Sequence, residues 1–164
     1  MPTLYLATEE PADKLLSSDP LALLIGMLLD QQVPMEWAFG APYRLAERLG
    51  ADRLDAGQIA GYDPDELAAL FSTPPALHRF PGSMAKRTQQ LCRYLVDEYG
   101  GDAAAVWSGA EDGAELVNRL GRLPGFGKQK AQIFAALLAK QLGVQPSEWR
   151  EATGVYGEPG VYRS

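Results

Sequence analysis

The chain has 164 residues, enough for one domain with a real core, and 46 % of them are apolar, as in ordinary soluble globular proteins. One cysteine, Cys92, excludes a disulfide framework and a cysteine-ligated zinc or iron–sulfur site within these residues. A net charge of −6 argues on its own against a polyanionic partner, but its distribution qualifies that: residues 1–66 hold twelve acids against four bases.

No basic leader opens the chain, so a cytoplasmic protein is expected. The longest apolar run, "LALLIGMLL" at 21–29, falls well short of the ~20 residues that cross a bilayer, so it reads as a buried helix and no membrane partner is expected. Alternating strand patterns are absent, and the expected fold class is all-α. In chain order, Asp19 and Pro20 open that first helix, since proline needs no hydrogen-bond partner at the first helical position. A second helix runs from about Met35 to Leu49, and Asp63-Pro64 repeats the opening signal before "ELAALF". "STPPALHRFPG", with three prolines, is a loop. Ser83 is expected to cap a helix to about Tyr99 that buries Met84, Thr88, Leu91, Cys92, Leu95, Val96 and Tyr99. "GDAAAVWSG" and "EDGAELVNRLGRL" give two shorter helices. A last one, from Lys128 to about Leu142, buries Ala131, Phe134, Leu137 and Leu138. The tail, 144–164, is rich in glycine and proline and reads as weakly structured.

Between the last two helices lies "LPGFGKQKA". Unpaired amides at a helix start attract anions, and glycine lets a phosphate come close to the main chain. Pro124 stiffens the turn, and Phe126 is expected to tuck between the two helices. Lys128 and Lys130 sit in the first turn against the helix dipole, an arrangement that an anion beside them explains. The pattern describes a helix-hairpin-helix that grips a DNA backbone without reading bases. Two stretches around it are basic and free of acids. One, 116–147, holds Arg119, Arg122, Lys128, Lys130 and Lys140; the other, 67–96, holds Arg79, Lys86, Arg87 and Arg93. They are either solvated helix faces or a basic face turned to phosphates.

Three stretches carry a resemblance to a known family. "LLIGMLLDQQV", "HRFPGSMAKRTQQLCRYL" and "LPGFGKQKA", in that order, resemble the helix-hairpin-helix (HhH-GPD) DNA glycosylase superfamily, which includes endonuclease III and the adenine and alkyladenine glycosylases. The likeness covers residues 20 to about 142 and is closest to a small bacterial group within it. It implies a single domain over 1–164, with the hairpin at 121–143, the tail at 144–164 and an incomplete second lobe. An end at "GVYRS" fits either a trimmed chain or a minimal protein with a shallower cleft.

The implied function is base excision repair on damaged or distorted double-stranded DNA. By resemblance, Leu123, Gly125, Phe126, Gly127, Lys128 and Lys130 form the phosphate-binding hairpin. Gln31 and Gln32 match a turn that fills the gap left by a flipped nucleotide, or are simply polar residues ending a buried helix. Phe80, beside Arg79, falls at the intercalating position, or packs back on the core. His78, the only histidine, is expected to contact phosphate or solvent rather than to act as a base.

Glycosylases flip the nucleotide and break its N-glycosidic bond through an oxocarbenium-like transition state that a carboxylate stabilises. Bifunctional relatives add a lysine where this chain has Gln129, so a lyase working through a Schiff base is not expected. The family aspartate that follows the hairpin's second helix is also missing, since no aspartate follows Asp112. Glu148 and Glu151 are the candidate carboxylates, or are surface glutamates. Trp149 stacks on an extruded base or covers the core. No iron–sulfur cluster or structural metal is expected, although the resemblance allows a monovalent cation at the hairpin. A monofunctional N-glycosylase is thus the leading reading. The alternatives are a non-catalytic binder of damaged DNA and a protein-interaction module on the same fold, the latter suggested by a pI near 4.8.

Overall fold

The computed structural model describes residues 4–161, which form two compact units, 4–103 and 104–161. Every regular element among them is helical, and no helix is long and apolar enough to cross a membrane.

The first unit holds α1 (Glu10–Ser18), α2 (Pro20–Leu29), α3 (Met35–Arg48), α4 (Ala56–Ala60), α5 (Pro64–Ser72) and α6 (Pro81–Tyr99). Helix α2 is its centre. Every residue from Leu21 to Leu29 is buried, as an all-round apolar helix requires. Each large side chain there contributes about 1.5–3 kcal/mol by leaving water. Gly26 lets α3 lie flat against it: a Cβ at that position would stand 2.6 Å from the Phe39 ring. Asp19, Asp55 and Asp63 accept from the first amides of α2, α4 and α5, which is why those helices begin where they do. Asp19 also reaches across the sequence, accepting from the amide of Leu54 at 2.9 Å.

Helix α6 starts three residues before the position set by a Ser83 cap. Pro81 takes the first helical position and Phe80 the cap, where no side chain accepts a bond. Its buried stripe is Met84, Ala85, Thr88, Leu91, Cys92 and Leu95, whereas Val96 is exposed, contrary to the expected stripe. The loop before it is held from α3, where Arg48 donates to the carbonyls of Leu70 and Pro75 and Trp37 donates to that of Ala76.

The second unit holds α7 (Ala105–Ser108), α8 (Gly113–Gly121), α9 (Lys128–Leu142), α10 (Trp149–Thr153) and a single 3₁₀ turn, Gly154–Gly157. Asp112 caps α8, and Gly143, at φ +72°, ends α9. The core is Phe134 with Trp107 and Phe126 edge-on to it, ring centroids 5.8 and 6.0 Å away. The segment after α9 is ordered by packing, contrary to the weak structure expected of it. The amide of Gly113 donates to the carbonyl of Ser147 at 2.7 Å, and Lys140 donates to the carbonyls of Glu158 and Val161, each at 2.6 Å. Residues 162–164 lie outside the described residues.

Candidate nucleic-acid interface

In the second unit, α8 ends in two tight turns, where Leu123 donates to the carbonyl of Leu120 and Phe126 to that of Leu123. Gly125, at φ +87°, makes the reversal that an L side chain resists. Leu123 and Phe126 are only 2 % and 4 % exposed. They anchor the hairpin from beneath, so what these two positions offer outward is main chain. Gly127 begins α9, and its carbonyl takes the first helical bond, from Ala131 at 2.9 Å.

The physical reasons for the two glycines differ. Gly127 has φ −79° and ψ 178°, backbone that any residue adopts, and a Cβ there would meet nothing within 4 Å. The fold does not require glycine at 127. Nor does a side chain cap α9, in contrast to the aspartates that cap α2, α4, α5 and α8. The amides of Gly125, Gly127 and Lys128 have no acceptor among the described residues. The start of α9 is therefore an exposed row of donors flanked by the side chains of Lys128 and Lys130, the latter 5.9 Å over the Phe126 ring.

Gln129, next along the helix, donates its side-chain amide to the Tyr156 hydroxyl at 2.9 Å, and Gln132 donates to the carbonyl of Ala152 at 3.0 Å. These two glutamines, three residues apart on one face, dock the α10 segment beside the hairpin end of α9. The Tyr156 contact was not foreseen; its partners are 27 residues apart, and no local pattern marks them.

Glu148 and Glu151 are both exposed, and neither carboxylate has a bonding partner among the described residues. Their surroundings differ. Glu148 caps α10 at φ +61°, with its carbonyl packed against Gly113 at the start of α8. Glu151 lies one residue from the Gln132 contact and lines a cleft of 510 Å³ with Arg150, Gly154, Val155 and Pro159. Trp149 is 9 % exposed and stacked under the Arg150 guanidinium at 4.6 Å, so it covers the core.

In the first unit, Gln31 and Gln32 follow α2. Gln31 is folded back, its amide donating to the carbonyl of Leu28 at 2.9 Å. Gln32 is exposed and left-handed at φ +59°, rare for a residue with a side chain. Phe80 is 44 % exposed beside the exposed Arg79, so it does not pack back on the core.

The expectation that His78 contacts phosphate or solvent is corrected. It is 1 % exposed, with Nε2 3.1 Å from the carbonyl oxygens of both Leu29 and Gln31, while Nδ1 accepts from the Phe80 amide at 3.0 Å. Main-chain carbonyls 49 and 47 residues away supply these acceptors, which no reading of a local motif reveals.

Two helices joined by a glycine turn, with exposed amides and flanking lysines, define a helix-hairpin-helix protein. Residues 25–152 match the HhH-GPD superfamily of base excision DNA repair proteins, and the chain belongs to that superfamily. Its structure is similar to that of endonuclease III in a trapped covalent DNA intermediate with an estranged adenine. There the TM-score is 0.53 at 20 % identity, covering 85 % of this chain and 58 % of that one. In a non-covalent endonuclease III–DNA complex the values are 0.54, 20 %, 82 % and 56 %. It is also similar to the H. pylori 3-methyladenine DNA glycosylase MagIII bound to 1,N6-ethenoadenine, with a TM-score of 0.53 at 17 % identity, over 88 % of this chain and 75 % of that one. The chain thus spans less than two thirds of the endonuclease III chains. At such identities the likeness concerns the fold. No curated protein matches the chain in sequence.

Proposed function

We propose that this chain binds duplex DNA through its hairpin and acts in base excision repair as a monofunctional N-glycosylase. Gly127 carries the reading. The protein's own packing leaves room for a side chain there and its dihedrals permit one, yet the position is bare beside unpartnered amides. A phosphate seated on the amides of Gly125, Gly127 and Lys128 accounts for the missing side chain, the missing acidic cap and the two lysines together. A monovalent cation at the same turn would find the carbonyl oxygen of Leu123, which accepts one protein hydrogen bond and keeps a second lone pair.

For the chemistry, Glu151 is taken ahead of Glu148, because the neighbouring Ala152 carbonyl is where Gln132 fastens this segment to the hairpin helix. It would stabilise the oxocarbenium-like sugar or orient the attacking water, with Glu148 as the second candidate. Gln129 has no amine to form a Schiff base, and its amide is held by Tyr156. Phe80 is exposed enough to wedge into the base stack, and Gln32 to fill the gap left by an extruded nucleotide. A second reading, a non-catalytic binder of damaged DNA, is favoured by the absence of any aspartate after Asp112.

One assay separates the two. Duplexes carrying a panel of damaged and mispaired bases are incubated with the protein and then cleaved with hot alkali. Alkali-dependent cuts at one lesion class, abolished by Glu151→Gln, are expected. Binding without cuts at stoichiometric protein would establish the non-catalytic reading.

A further inference from the structure

We infer that His78 is a positioning residue that fastens the Phe80 loop to the Gln31–Gln32 turn, so that the two features of the first unit assigned to DNA are set as one piece. The inference rests on the reading of Phe80 and Gln32 as DNA contacts.

The bonds fix the ring's state. Carbonyl oxygens only accept, so Nε2, 3.1 Å from those of Leu29 and Gln31, must carry the hydrogen. The Phe80 amide only donates, so Nδ1, 3.0 Å from it, must be bare. His78 is thereby held as the neutral Nε2–H tautomer, and both nitrogens are committed. The ring lies 6.4 Å from that of Trp37 and 6.1 Å from that of Phe80, and Trp37 is itself tied to the loop through the Ala76 carbonyl.

Satisfying the last carbonyls of α2 requires only a donor. His78 does more, because its second nitrogen holds the amide of the residue whose ring is exposed. The same imidazole thus sets the end of α2, from which the left-handed Gln32 projects, and the start of α6, where Phe80 stands as the cap. A displacement of either is transmitted to the other through a rigid five-membered ring.

Two substitutions cut the ring's functions apart. His78→Gln keeps a donor near the position of Nε2 and loses the acceptor for Phe80. His78→Asn keeps an acceptor for the amide two residues on and loses the reach to α2. Each is compared with wild type for duplex affinity, for the fluorescence of a 2-aminopurine mispaired with cytosine in that duplex, and for hydrogen exchange at the Phe80 amide. The 2-aminopurine reports unstacking. Faster exchange at Phe80 is expected in His78→Gln but not in His78→Asn. Both variants should lose the unstacking signal and roughly fivefold in affinity, the size of one net hydrogen bond. Adding Phe80→Ala to either should cost nothing further, since residues acting as a unit are not additive. Wild-type unstacking and affinity in either folded variant would overturn the inference, as would losses that add to that of Phe80→Ala, and the functional reading would still stand. No salt-dependent duplex binding by the wild type would overturn the functional reading, and this inference with it.

Discussion

Gln32 carries a side chain at φ +59°, where an L residue costs roughly 1–2 kcal/mol relative to the right-handed conformation. That strain is kept at an exposed position, which fits a side chain retained for what it touches outside the protein. Gln32→Gly should therefore raise the urea midpoint by the equivalent of about 1 kcal/mol while weakening duplex binding; a lower midpoint would show that the side chain serves the fold instead. Cys92 is the opposite case, a buried group with no outward role. Burial, with Asp55 adding to it, pushes its thiol up to about 12 from its ordinary value of 9.0. The unfolded chain sheds that proton above its ordinary value and the folded chain keeps it, so stability falls as pH rises from about 9 to about 12. The slope is about 1.4 kcal/mol per pH unit, and urea midpoints across that range should lose this component in Cys92→Ala. Single residues were also where the sequence was least legible. Glycine and lysine positions in the hairpin are marked by local spacing, but the burial of His78 and the Gln129–Tyr156 bond depend on partners 27 or more residues away.

Helices opened by Asp-Pro were readable because cap and first residue are adjacent in sequence, as at Asp19-Pro20 and Asp63-Pro64. Three others were not. Helix α1 has no side-chain cap, while α4 and α10 have five residues each, too few to show a period. Helix α10 owes its place to tertiary contact, above all to Gly113. A Cβ there would stand 2.6 Å from the Trp149 Cα and 2.7 Å from the Glu148 carbonyl oxygen, main-chain atoms that cannot swing aside. Gly113→Ala should cost about 1–3 kcal/mol and loosen the segment that carries both glutamates. Thermal melts compared with Gly127→Ala, whose Cβ has open space and which should stay within about 0.5 kcal/mol of wild type, check this; equal melts would refute it.

For the whole molecule, the net charge of −6 and the acidic residues 1–66 oppose DNA binding, and the acid-free stretches 67–96 and 116–147 favour it. Composition could not decide between them, because affinity depends on which charges lie beside the phosphate rather than on their sum. Glycosylase action without a lysine at position 129 predicts that borohydride traps no protein–DNA adduct; a trapped adduct would require another amine as nucleophile. The most direct test of the account is duplex affinity measured against salt for the wild type and Gly127→Asp. The carboxylate would cap α9 and leave the fold intact or up to about 1 kcal/mol more stable. It would also occupy the place of the phosphate, so affinity should fall at least about tenfold and the log–log salt slope should lose roughly 0.9, one phosphate contact. Unchanged affinity and slope in the folded variant would mean that the hairpin does not hold DNA.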